Sequence, residues 1–204
     1  MIKVLCYGSG NVKAITNIYK RINVPCEVAT TSDELRSADK IIVPGVGAFD
    51  QTMMLLEASG MLDTLNSMVL DDEVPVLGVC VGMQAMAHES EEGERKGLGW
   101  IDGAIKEIDA RHLTHKPKLP HMGWNSVTPR QQLPILDGID EQTGFYFLHS
   151  YYFACANEEN VLTTSYYGTE FTSAVASGNI YGFQFHPEKS HLNGITIFKN
   201  FAEL

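Results

Sequence analysis

Apolar and polar positions alternate between two periods along the first half of the chain. Short apolar runs, "IKVLCY" from Ile2, "KIIVPG" from Lys40 and "PVLGV" from Pro75, read as buried strands, and Cys26 to Ala29 reads as another. Between them "NVKAITNIYKRI" places Val12, Ile15, Ile18, Tyr19 and Ile22 at helical spacing, and "TSDELRSA" opens a helix with Ser32 as the expected N-cap before Asp33 and Glu34. The segment from Phe49 to Leu70 is helical in pattern with an interruption near Gly60. Repeated strand and helix units of this size predict a parallel sheet covered on both faces by helices. Beyond Gly97 the texture changes. "NSVTPR", "GFYFLHSYYFACA", "VLTTSYYG", "FTSAVASG" and "IYGFQFHP" are rich in β-branched and aromatic residues and are punctuated by turns, as in antiparallel strands, before "GITIFKNFAEL" closes as a helix.

Composition narrows what such a fold can do. With 204 residues and 44% hydrophobic content, a single domain over 1–204 with a substantial core is expected. No apolar run approaches the roughly 18 residues of a membrane span, and the start, "MIKVLCYGSG", has no signal-peptide layout, so a cytoplasmic chain that does not engage a membrane is expected. A net charge of −10 opposes binding to a nucleic-acid backbone. Cys6, Cys26, Cys80 and Cys155 are widely spaced, which argues against a zinc ribbon or a disulfide framework. His112 and His115 of "HLTH" lack a recognisable third ligand, and "GSGN" fails the dinucleotide pattern at Lys13, so neither a metal nor another cofactor is expected.

Three segments carry candidate chemistry. In "VPVLGVCVGMQAMA" a strand runs into Cys80 with Gly78 and Gly82 two residues to either side, the arrangement of a sharp strand-to-helix turn that exposes a nucleophile. The amides opening the following helix would favour a thiolate, and the Val81 N–H would face a developing oxyanion. A small buried thiol is the alternative on this motif alone. In "YGFQFHPEKS", His186 and Glu188 lie two apart on an extended segment and would project together as a base and its orienting acceptor. Gln184 shares their parity and fits a structural role equally well. In "IIVPGVGAFD", Val46 and Gly47 follow a strand end where backbone N–H groups suit an oxyanion hole, and an ordinary glycine turn suits the pattern too.

Taken in order, "YGSGN", "PGVGAF", "GVCVGMQ", "SEEG" with "GLGWIDG", "LPHMGWN", "FYFLHSYY" and "QFHPEKS" resemble the class I, triad-type glutamine amidotransferases over essentially the whole chain, most closely the branch of glutaminase subunits serving imidazole glycerol phosphate synthases. The resemblance implies an α/β fold with a mixed, largely parallel central sheet flanked by helices. It implies Cys80 as nucleophile, His186 as acid and base, Glu188 as its orienter, Val46, Gly47 and Val81 around the oxyanion, and Gln84 and Glu92 binding L-glutamine. It further implies a heterodimer with a (β/α)8-barrel cyclase that receives ammonia to form imidazole glycerol phosphate in histidine biosynthesis. The contact would include Asn11, His121, Met122, Gly123, Trp124, Asn125, Tyr146 and Lys189. The chain departs from the family at Cys6-Tyr7-Gly8, where Asp-Tyr-Gly is common; the departure spares the triad and falls on the side assigned to the partner. Amidino-sugar formation in surface-polysaccharide synthesis is the second destination for the ammonia, and a free thiol hydrolase or a catalytically silent scaffold are the readings from other classes.

Overall fold

The structure is a computed structural model and describes residues 1–114, 116 and 118–204. Strands β1 (Ile2–Leu5), β2 (Cys26–Ala29), β3 (Lys40–Gly45) and β4 (Val76–Cys80) alternate with helices α1 (Val12–Arg21), α2 (Ser32–Leu35), α3 (Phe49–Ala58), α4 (Leu62–Leu70) and the single turn α5 (Val81–Gln84). The second half adds β5 (Glu89–Ser90), β6 (Gly103–Glu107), β7 (His121–Asn125), β8 (Thr128–Pro129), β9 (Phe145–His149), β10 (Tyr151–Cys155), β11 (Val161–Tyr167), β12 (Thr169–Ser177), β13 (Ile180–Phe183) and the closing helix α6 (His191–Glu203). The main sheet has eight strands in the order β2-β1-β3-β4-β13-β12-β11-β8. Pairing is parallel from β2 through β13 and antiparallel beyond it, so the sheet is mixed with a parallel centre. Among the described residues no helix is long and apolar enough to cross a membrane.

Alternation along the central strands divides the core. Ile41 and Val43 of β3 join a cluster with Phe49, Met53, Leu56 and Leu65 from α3 and α4, whereas Ile42, Leu77 and Val79 join Ile15, Tyr19, Phe198 and Phe201 from α1 and α6. Both faces of the sheet centre are thus covered, as the continuous apolar runs require. Two local expectations need correction. The N-cap of α2 is Thr31, whose hydroxyl accepts the Glu34 N–H, and Ser32 is the first helical residue, its hydroxyl turned to the Gly60 carbonyl. Strand β13 is antiparallel to β12 on one edge but parallel to β4 on the other, because the chain returns into the middle of the sheet rather than extending its antiparallel margin.

That return positions the site. The carboxyl ends of β3, β4 and β13 lie side by side, with Gly45 opposite Cys80 and Phe183 opposite Val79, and ligands of open α/β sheets bind at such ends. The junction is held by backbone contact: a Cβ on Gly82 would lie 1.9 Å from the Val43 carbonyl oxygen, and one on Gly45 would lie 2.3 Å from the Gly82 nitrogen. Gly82→Ala is therefore expected to destabilise the chain by about 1–3 kcal/mol, the usual cost of overpacking. Urea unfolding measures it, and an unchanged midpoint would contradict the close approach.

Candidate active site

Cys80 stands where β4 ends and α5 begins, with φ +56° and ψ −113°, a conformation that costs a non-glycine residue about 1–3 kcal/mol. The buried strand on one side and the Gly82 contact on the other hold it there, and it opens into a cavity of about 290 Å³. Gly47, Gln84, Glu92, His149, His186 and Lys189 are among the residues lining that cavity.

His186 lines the same cavity as Cys80, and its Nδ1 lies 2.9 Å from Glu188 Oε1; the imidazole and carboxylate side chains are 3% and 2% exposed. The reason for their meeting differs from strand parity. His186 is extended, but Pro187–Lys189 form a 3₁₀ turn, and this turn folds Glu188 back beneath the ring. Asn11 Nδ2 donates to the same Glu188 oxygen at 2.8 Å. Burial opposes a charged His186, but hydrogen bonds and charge from Cys80 and Glu188 outweigh it and raise its pKa from 6.5 to about 10. Burial likewise opposes the Glu188 carboxylate, and its hydrogen bond to His186 overrides that to lower its pKa. The arrangement suits a thiolate–imidazolium pair oriented by a carboxylate.

Around this core the predicted residues take less uniform places. Val81 lies in the first turn of α5, beside Cys80. Val46 and Gly47 are exposed at the cavity, Gly47 with φ +99°, but Val46 does not offer its amide to the cavity. Its N–H donates to Ser9 Oγ at 2.9 Å, and the Ser9 hydroxyl donates to the Val46 carbonyl at 3.0 Å. Gln84 is buried, with its amide on the Tyr151 carbonyl and on Gln184 Oε1. Glu92 reaches the cavity while accepting the Phe49 N–H at 2.8 Å, so it also caps α3. Of the residues expected at a contact, Met122 and Trp124 are 62% and 45% exposed, and Lys189 lies over the Tyr146 ring at 5.5 Å. Gly123 lies between Met122 and Trp124 on β7, and Asn125 ends that strand.

His121 is a correction. It is buried, stacked between Phe147 and Tyr167, because the pleat turns it inward where Met122 turns outward. Asn11 is half-buried behind the triad rather than on an open face. Residue-by-residue reading missed Ser9, the carbonyls of Leu148 and Tyr151, and His149; their partners lie far off in sequence, and only the inward parity of His149 in "FYFLHSYY" hinted at burial. His115 and the His112 side chain lie outside the described residues.

The linkage has a definite sign. The raised His186 pKa contributes stability that is complete below its ordinary 6.5 and lost as pH rises through about 10, and the lowered Glu188 pKa contributes stability above its ordinary 4.5 that is lost in acid. Glu188→Gln should drop the His186 titration midpoint by about one to three pH units, as loss of an adjacent opposite charge does. Imidazole NMR reads this directly, and an unmoved midpoint would show that Glu188 does not hold the charge.

The family model described as "Glutamine amidotransferase class-I" matches residues 4–204. The "Imidazole glycerol phosphate synthase subunit HisH" of Bdellovibrio bacteriovorus is 50% identical, with the match covering 100% of each chain. "Imidazole glycerol phosphate synthase subunit HisH 2" of Pseudomonas aeruginosa is 46% identical, again over 100% of each. Among solved structures, a glutamine amidotransferase superposes with TM-score 0.73 at 18% identity, covering 100% of this chain and 99% of its own, a likeness of fold. With the family matched over nearly its full length and close relatives over all of it, the chain belongs to the class I glutamine amidotransferases, in the branch of the HisH subunits of imidazole glycerol phosphate synthase.

Proposed function

We propose that the 204 residues act as one unit, the glutaminase subunit of a cytoplasmic heterodimer, releasing ammonia from L-glutamine for a (β/α)8-barrel cyclase that makes imidazole glycerol phosphate. The observation that carries this is the meeting of Cys80, at a strained turn, with the buried His186–Glu188 pair in a cavity also lined by Gln84 and Glu92. Gln84 and Glu92, two polar groups lining the same cavity as Cys80, favour this reading over a general thiol hydrolase.

In this reading the Cys80 thiolate attacks the glutamine carboxamide carbon, and the charge moves to the carbonyl oxygen, where the Val81 N–H meets it. His186 then gives its proton to the departing nitrogen as the C–N bond breaks, which leaves a glutamyl thioester and ammonia. Water, deprotonated by His186, cleaves the thioester to glutamate and restores the thiolate–imidazolium pair. Glu188 keeps the imidazole oriented through both steps and stabilises it whenever it carries the proton. Gln84 and Glu92 hold the substrate, with the Glu92 carboxylate suited to its ammonium group.

Free ammonia in neutral water is mostly protonated and no longer nucleophilic, so its consumer must sit close to the cavity. Exposed Met122 and Trp124, with Lys189 over Tyr146 at the cavity rim, support a docking face there. The Ser9 contacts support a resting state. Ser9 holds the peptide groups on both sides of Val46, and a turn of the Val46–Gly47 peptide would free an additional donor for the oxyanion.

Two experiments follow. In the complex with the cyclase, Cys80→Ala is expected to abolish glutamine-dependent synthesis and to spare synthesis from added ammonium salt; equal loss of both would make Cys80 structural. Ser9→Ala removes both hydrogen bonds that hold Val46, each of about 1 kcal/mol, so glutaminase turnover of the isolated chain should rise about five- to thirtyfold. Full turnover by the isolated wild-type chain would contradict a resting state.

A further inference from the structure

The bend at Ser150, where β9 passes into β10, lines the cavity that holds Cys80, and the residues on both sides of that bend touch groups of the site. The Leu148 carbonyl oxygen lies 3.9 Å from Cys80 Sγ, and the Tyr151 carbonyl accepts Gln84 Nε2 at 3.1 Å. Between them His149 is buried against the cavity. Its Nδ1 lies 2.7 Å from the same Tyr151 carbonyl oxygen, and its Nε2 lies 2.9 Å from His121 Nδ1.

These contacts fix where the protons are. A carbonyl oxygen only accepts, so Nδ1 of His149 carries hydrogen. Its Nε2 is then the acceptor for a hydrogen on His121 Nδ1, and His121 Nε2, 3.3 Å from Asn125 Nδ2, accepts in turn. Along these contacts the order runs one way, from the Asn125 amide through the two imidazoles to the carbonyl that also holds Gln84. His121 is clamped between the Phe147 and Tyr167 rings, at centroid distances of 4.8 and 4.1 Å, so it gives His149 a stationary donor. Burial, reinforced by the neighbouring His121 and His186, lowers the His149 pKa to about 3 and keeps the ring neutral at physiological pH. Gln84 passes the restraint on: its Nε2 meets Gln184 Oε1 at 3.0 Å, and Gln184 Nε2 lies 3.7 Å from Cys80 Sγ.

We infer that His149, locked in one tautomer by His121, is a positioning residue of the glutaminase site: it fixes the Tyr151 carbonyl and through it Gln84, so that the wall of the cavity keeps its spacing from Cys80. The inference rests on the function proposed above. It assigns His121, expected at the partner contact, an internal task as the donor that orients His149.

The test uses the full chain in its complex, with glutamine turnover expressed per Cys80 titrated by a glutamine-like electrophile. His149→Leu removes both hydrogen bonds and is expected to raise KM for glutamine about tenfold, more than it lowers kcat per titrated site. His149→Asn, whose amide nitrogen takes the place of Nδ1 and can donate to the Tyr151 carbonyl, should recover most of that rise. His121→Phe keeps the ring stack, removes the donor and should give a smaller rise of the same kind. An unchanged KM in His149→Leu with only fewer titratable sites, or an Asn variant no better than Leu, would overturn the inference. Imidazole ¹⁵N spectra of the wild-type chain decide it without turnover: hydrogen on Nδ1 of both His149 and His121 from pH 6 to 8 is expected, and an Nε2-protonated His149 refutes it. An inactive wild-type complex would count against the proposed function, with these spectra still deciding the pair.

Discussion

At the carboxyl ends of β3 and β4 two backbones approach more closely than any side chain would allow. The first turn after Cys80 presses against Val43 and Gly45 so tightly that a Cβ on either Gly45 or Gly82 would overlap backbone atoms. This contact sets the direction in which Cys80 leaves its strand, and it keeps the residue at positive φ although that conformation is unfavourable by itself. It also brings the Val46–Gly47 segment, which continues from β3, over the start of α5, so nucleophile and candidate oxyanion donors share one origin. The energy that holds the strained turn comes from the sheet centre, where Val43, Leu77 and Val79 are buried between two helical layers.

The two halves of the chain supply complementary parts of the site, and the central strand β13 joins them. Cys80, the proposed nucleophile, comes from a parallel strand–helix unit, whose geometry naturally ends in a sharp turn. The imidazole and carboxylate come from the segment after β13, which enters the sheet next to β4 only after the antiparallel strands have been laid down. Pairing β13 with β4 therefore fixes Cys80 and His186 relative to one another through a register of backbone hydrogen bonds rather than through flexible loops. The bend between β9 and β10 adds a further wall of the cavity, held by the buried imidazoles of His149 and His121.

Much of this was legible in the sequence, for physical reasons that also mark the limits. Continuous apolar runs such as "KIIVPG" can only be buried on both faces, so the parallel centre followed directly, and the glycines around Cys80 signalled a turn that needs absent side chains. The parity reading of His186 and Glu188 reached the right pair by the wrong route, since a 3₁₀ turn brings them together. Thr31 and Ser32 could each cap α2, and only the start of the helix distinguishes them. The parallel edge of β13 was invisible because a strand pattern does not name its neighbours. His121 stands in a motif that resembles a contact surface, yet on β7 the pleat assigns successive residues to opposite faces, and it fell on the inner one. Ser9 and Val46 are separated by 37 residues, so no local pattern could join them.

Exposure divides the site into two parts with different vulnerability to outside control. His186 and Glu188 are almost wholly enclosed, and their charged state is set by each other, by Cys80 and by Asn11. Only the cavity reaches His186, and the 2.9 Å contact with Glu188 is already made in the isolated chain. Val46, by contrast, is 43% exposed, and a single hydroxyl holds both of its peptide groups. The acid–base half is thus preassembled, whereas the oxyanion half is held by interactions of about 1 kcal/mol each. A partner that docks beside Trp124 and Lys189 needs only to compete with those weak bonds, and a change of that size in a two-state loop suffices to alter turnover severalfold. Control by the proposed route would leave Cys80, His186 and Glu188 in place and regulate only the stabilisation of the developing oxyanion, the step where one donor is worth most.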